Sequence, residues 1–140
     1  MLFRSGMAKK RILLVDDEPS ILKTLEKRLQ PHYEVFTATD GLEGIERALQ
    51  VRPDLIITDI MMPTMDGFTF LRKLRDKPQL SGIPVIVLTA RGQMQDLFLL
   101  EGIKSADYIV KPFESDLLLK KIAQLLERVQ KHLDLPPPAP

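Results

Sequence analysis

Asp16-Asp17-Glu18, Asp59, Thr89 and Lys111 are the residues of this 140-residue chain whose types could act together on one substrate. Crowded carboxylates raise one another's pKa, or the group recruits a cation. The sequence has no cysteine, and its two histidines, His32 and His132, lie far apart with no ligand-like spacing. Oxygen ligands alone select a hard cation, Mg²⁺ before Mn²⁺ or Ca²⁺. Mg²⁺ takes one or two carboxylates, keeps several waters and bridges to phosphate oxygens. A carboxylate beside such an ion can itself attack a phosphoryl group, giving an aspartyl phosphate. The ion and a lysine would balance charge on the transferring oxygens, where most catalysis of phosphoryl transfer arises. This chemistry requires the residues to meet in space.

Taken singly, each has a plainer role. Asp16-Asp17-Glu18 suits a helix N-terminus, whose dipole favours acids. Thr89 suits a helix cap, Lys111 a surface position before Pro112, and Tyr108 simple packing in a strand. Met61-Met62-Pro63 reads as a turn with apolar cover, and both histidines as surface residues. The elements that place these residues decide between the two readings.

Apolar runs of strand length and β-branched content occupy residues 12–15, 33–38, 55–58 and 85–88, with a shorter one at 108–110. The runs 12–15, 55–58 and 85–88 are continuous rather than alternating, as in central strands buried on both faces of a parallel sheet. Helical stripes lie between them. Ile21, Leu22, Leu25 and Leu29 form the first, with Pro19 as first helical residue. Leu42, Ile45 and Leu49 form the second, and Phe68, Leu71 and Leu74 the third. Residues 94–103 and 117–133 supply the last two. Five strand–helix alternations predict an α/β fold, a doubly wound parallel sheet covered by helices on both faces. With right-handed crossovers the expected topology is flavodoxin-like (βα)5, strand order 2-1-3-4-5. All strands then end on one edge. That edge would carry Asp16, Asp17, Asp59, Thr89 and Lys111.

The composition suits one folded domain: 44% hydrophobic and 28% charged residues. Lys and Arg number 20 against 19 Asp and Glu, so a net charge of +1 gives no electrostatic reason for direct nucleic-acid binding. No apolar stretch approaches the ~20 residues of a membrane-spanning helix, and Met1 to Gly6 is too short for a signal peptide. A cytoplasmic location is the expectation. Met7-Ala8-Lys9-Lys10 reads as a second start, so residues 1–9 are expected to be a disordered extension or tag. Residues 10–132 would form the domain, and 133–140 a Pro-rich tail or linker start.

Ile12-Leu13-Leu14-Val15-Asp16-Asp17-Glu18-Pro19, Asp54-Leu55-Ile56-Ile57-Thr58-Asp59-Ile60-Met61-Met62-Pro63, Asp66-Gly67, Val87-Leu88-Thr89-Ala90 and Tyr108-Ile109-Val110-Lys111-Pro112-Phe113 resemble the response-regulator receiver family of two-component signalling. One motif would say little. Five, in order and at strand ends, form a specific pattern. The resemblance implies that Asp59 is the phosphoacceptor, that Asp17 binds Mg²⁺ directly, and that Asp16 helps hold it through water. It implies Asp59 itself and the backbone carbonyl of Met61 as further metal ligands, Lys111 as the phosphate partner, and Thr89 with Tyr108 as a switch pair. The implied partners are a sensor histidine kinase or phosphotransfer protein and an effector. The chain would then be a signalling phosphoacceptor, not an enzyme acting on other substrates. Lys104 stands where the family usually has a glycine, and Met61 and Arg91 occupy variable positions that resemble those governing phosphoryl lifetime.

Other readings fit less well. A pseudo-receiver that binds partners without phosphate would not need the complete acidic, hydroxyl and lysine set. Phosphatases resembling the haloacid-dehalogenase group carry a second carboxylate two residues after the nucleophile, where this chain has Met61. An FMN carrier needs a phosphate-cradling loop after the first strand, where this chain has acids. Leu97-Phe98-Leu99-Leu100 are consecutive, and at about 100° per residue four in a row pass around most of a helix. With Leu117-Leu118-Leu119 they could form an apolar face beside strand 108–110. Leu97, Leu99 and Leu100 are therefore expected on a partner or homodimer surface.

Overall fold

In the computed structural model of the protein, the described residues are 9–59, 65, 67–90 and 106–134. Five strands, β1 (Arg11–Val15), β2 (Glu34–Ala38), β3 (Leu55–Asp59), β4 (Val85–Ala90) and β5 (Ala106–Lys111), form one parallel sheet in the order β2-β1-β3-β4-β5. This is the expected doubly wound order. Four helices are described: α1 (Pro19–Leu29), α2 (Gly41–Val51), α3 (Gly67–Arg75) and α4 (Ser115–Asp134). The helix expected over 94–103 lies outside the described residues, as do residues 1–8 and the tail from 135 onward. No helix of the described residues is long and apolar enough to cross a membrane.

The continuous apolar strands divide their side chains between two cores, as a pleat with period two requires. Leu13, Val15, Ile56, Val85 and Val87 face α2 and α3, meeting Ala48, Phe70, Leu71 and Leu74. Ile12, Leu14, Leu55, Ile57, Ile86 and Leu88 face α1 and α4, meeting Leu22, Leu25, Leu29, Leu118 and Ile122. Each buried aliphatic side chain contributes about 1.5–3 kcal/mol. At the opposite edge of the sheet from the acidic residues, Arg11 ties three segments together. Its amide donates to Asp54 Oδ2 (2.7 Å), its Nη1 to the Val51 carbonyl (2.7 Å) and its Nε to Glu34 Oε1 (3.1 Å).

The helices start where their caps allow. Pro19 opens α1. Asp40 caps α2, its Oδ1 accepting from the Glu43 amide, while Glu43 Oε1 accepts from the Thr39 amide, each at 2.8 Å. The buried face of α2 differs from the expected stripe. Gly41, Gly44, Ile45 and Ala48 are buried, whereas Leu42 is 58% exposed and Leu49 37%. Small residues let this helix approach β1 and α3 closely: a Cβ at Gly44 would meet Phe70 at 3.0 Å and Val15 at 3.1 Å. Close approach, not leucine volume, seats α2. In α3, Phe70 joins Leu71 and Leu74 as a fully buried side chain, a core role the stripe reading did not assign it.

Candidate functional site

Parallel strands deliver their carboxyl ends to one edge, and the side chains capable of chemistry collect there. β1 leads directly into Asp16 and Asp17, β3 ends on Asp59, β5 on Lys111, and Thr89 is the penultimate residue of β4. One oxygen each of Asp16, Asp17 and Asp59 lies within 4.8 Å of the other two. Asp16 and Asp59 are buried and Asp17 is exposed.

The Asp16 amide donates to the Ala38 carbonyl at the end of β2 (3.1 Å), and its Oδ1 accepts from the Glu18 amide (2.9 Å). Its Oδ2 is buried with no hydrogen-bond partner among the described residues. Burial pushes this carboxyl up to about 6 from an ordinary 3.8; the Glu18 amide opposes the rise, Asp59 adds to it, Lys111 opposes it and Asp17 adds again. An orphaned carboxylate oxygen in a cluster of three carboxylates, with oxygen donors only, suits a hard divalent cation. The residues fit Mg²⁺.

Lys111 Nζ donates to Asp59 Oδ2 at 2.9 Å. The Lys111–Pro112 peptide is cis. Thr89 is wholly buried. Tyr108 lies outward and is 38% exposed. Its amide donates to Asp107 Oδ1 (2.7 Å), which also accepts from Lys121 Nζ (3.0 Å), and that ammonium sits 5.6 Å from the centre of the Tyr108 ring. Met61, Leu97, Leu99 and Leu100 lie outside the described residues.

Two features escaped the sequence. Thr58 Oγ1 donates to the Asp59 carbonyl at 3.0 Å; the one signal was a hydroxyl ending an otherwise aliphatic run. Beside Lys111, a groove of about 520 Å³ runs between α1 and α4, lined by Ile21, Leu25, Leu29, Phe113, Leu118 and Leu119 among others. Its walls come from opposite ends of the chain, so no local pattern announces it.

Known proteins resemble this chain in sequence and in fold. The sequence pattern of the response regulator receiver domain matches residues 12–123. The DNA-binding dual master transcriptional regulator RpaA of Synechocystis sp. is 40% identical over 124 residues, covering 86% of this chain and 51% of that protein. Hybrid signal transduction histidine kinase D of Dictyostelium discoideum is 38% identical over 117 residues, 82% of this chain and 7% of that protein. The chain thus spans about half, or less, of the length of these curated relatives. Among solved structures, chemotaxis protein CheY4 of Vibrio cholerae superimposes with a TM-score of 0.79 at 34% identity, covering 84% of this chain and 99% of that one. The receiver domain of sensor histidine kinase PA1611 from Pseudomonas aeruginosa, solved with a magnesium ion in its active-site cleft, gives 0.77 at 30% identity, covering 86% and 99%. With a family match over most of its length and the same five-stranded order, this chain belongs to the response regulator receiver domains of two-component signalling.

Proposed function

We propose that Asp59 accepts a phosphoryl group from a histidine kinase or phosphotransfer protein, and that the resulting aspartyl phosphate changes which partner the domain binds. The meeting of three carboxylates with the Lys111 ammonium on Asp59 carries this reading. A carboxylate oxygen of Asp59 attacks phosphorus; an O–P bond forms, the P–N bond of a phosphohistidine breaks, and the imidazole nitrogen leaves with the electron pair and takes up a proton. Asp17 and Asp59 directly, Asp16 through water and the Met61 carbonyl would hold Mg²⁺, or Mn²⁺ in its place. When bound, that ion supplies neutralisation of charge on the transferring oxygens.

Lys111 would move from Asp59 Oδ2 to a phosphoryl oxygen, keeping one charge-assisted bond throughout. The Thr89 hydroxyl would then donate to the phosphoryl group. Such a bond exists only after transfer, so it stabilises the active state alone, as any shift of a two-state equilibrium requires. Tyr108, outward in this structure, would follow inward.

The groove between α1 and α4 offers the phosphodonor an apolar seat next to Lys111. On the other side of α4, Leu117 is 49% exposed and lies one turn from Lys121, which covers Tyr108. With Leu97, Leu99 and Leu100 this would form the surface for an effector or a second copy. A cytoplasmic domain of residues 10–132, flanked by an N-terminal extension and a Pro-rich tail, completes the reading.

Intact-mass measurement with a small phosphodonor such as acetyl phosphate tests it. The wild type should gain one phosphoryl group with Mg²⁺ and none after chelation, and Asp59→Asn should gain none. Asp17→Asn should weaken Mg²⁺ binding. Full modification of Asp59→Asn would move the phosphoacceptor elsewhere.

A further inference from the structure

Thr58 interrupts the aliphatic run of β3 one residue before Asp59, and it is wholly buried. A buried hydroxyl without a partner costs about 1–3 kcal/mol, a cost that valine of the same shape would not incur. This hydroxyl has a partner, the backbone carbonyl of Asp59 at 3.0 Å. By alternation Thr58 shares the face of Ile56, toward α2 and α3, while Asp59 shares the face of Ile57. The bond therefore holds the peptide leaving Asp59 from the side of the sheet away from its carboxylate.

Met65 holds the chain again where it returns. Its side chain is buried in the cluster formed with α2 and α3. It sits directly on Gly41: a Cβ there would come within 2.7 Å of Met65 Sδ and 2.9 Å of Met65 Cβ. Only glycine admits so close an approach. Gly41 is also the first residue of α2, and in a helix alanine is favoured over glycine by up to about 1 kcal/mol. The glycine forgoes local helix stability and admits Met65.

We propose that Thr58 and Met65 are positioning residues for the acidic site. They hold both ends of the connection from β3 to α3 on the α2/α3 side, and so place Asp59 where its carboxylate meets Asp16, Asp17 and Lys111. The inference rests on the reading of Asp59 as a phosphoacceptor beside a divalent cation, and adds residues that touch neither phosphate nor cation.

Thr58→Val, Thr58→Ser and Gly41→Ala separate positioning from stability. For each, Mg²⁺ affinity is read by titration calorimetry, phosphoryl uptake from acetyl phosphate by intact mass, and the unfolding midpoint by circular dichroism. Thr58→Val should weaken Mg²⁺ binding by about tenfold, as loss of a supporting bond does at metal sites, and Thr58→Ser should restore it. Gly41→Ala should weaken Mg²⁺ binding and slow uptake out of proportion to any change in midpoint, because its methyl favours the helix while displacing Met65. If both Thr58→Val and Gly41→Ala bind Mg²⁺ and take up phosphoryl like the wild type, the positioning role is wrong whatever their midpoints. A wild type that neither binds Mg²⁺ nor takes up phosphoryl overturns the functional reading itself, and this inference with it.

Discussion

Lys111 Nζ bonds Asp59 Oδ2 at 2.9 Å, so the carboxylate proposed to accept the phosphoryl group already has an ion-pair partner in the fold. In the proposed site the lysine would compete with a divalent cation for that carboxylate. Two charges about 4 Å apart interact by roughly 4 kcal/mol at the effective dielectric near a protein surface. Lys111→Ala should consequently bind Mg²⁺ severalfold more tightly while accepting phosphoryl about a hundredfold more slowly, having lost a charge on the transferring oxygens. Calorimetry and intact-mass kinetics on the same variant check both halves. Weakened Mg²⁺ binding would make the lysine a structural support of the cluster.

Asp16 predicts opposite pH dependences for stability and for metal binding. Its carboxyl is pushed up to about 6 in the fold from an ordinary 3.8. Below 3.8 both folded and unfolded chains hold the proton; between the two values the folded chain binds more. Metal-free stability from this group is therefore highest at low pH and falls, by about 3 kcal/mol, as pH rises through the window. Mg²⁺ needs the ionised form, so its apparent affinity should fall about tenfold per pH unit below the Asp16 pKa. Titrations well above and one unit below that pKa test this. Equal affinities would remove Asp16 from the cation site.

Phe70 fills the space between α2, α3 and the sheet with no exposed surface. Phe70→Ala should cost about 3–5 kcal/mol, since the rigid β1 and Gly44 contacts can collapse little into the cavity. Urea unfolding reads the loss directly. A cost near that of a surface substitution would mean α2 is seated by other contacts.

Arg52 ends α2 with φ 49°, a left-handed conformation that a side chain opposes. Its exposed Nε bond to the Leu49 carbonyl is long, at 3.4 Å. Arg52→Gly should stabilise the domain by up to about 1 kcal/mol, the relief of strain exceeding the entropy gained by the unfolded chain. The expected reading is a higher urea midpoint with an unchanged slope.

The fold and the membership of the site were legible in the sequence for a physical reason. Strands buried on both faces must be continuously apolar, as at Ile12–Val15 and Val85–Leu88, and such strands need helical crossovers between them. That arrangement sends every strand end to one edge, so the residue types at the strand ends, Asp16, Asp17, Asp59 and Lys111, already name the cluster. Tertiary structure alone decided the rest. Which face of α2 is buried depended on how closely a helix without side chains at Gly41 and Gly44 can approach Met65, Val15 and Phe70, and hydrophobic periodicity favoured the exposed Leu42 and Leu49 instead. The bond from Thr58 to the Asp59 carbonyl depended on which acceptor the packed fold leaves beside a buried hydroxyl. The raised pKa of Asp16 depended on burial, which is a sum over neighbours distant in the chain. Local pattern reports what each residue can do; contact between remote segments decides which partner it finds.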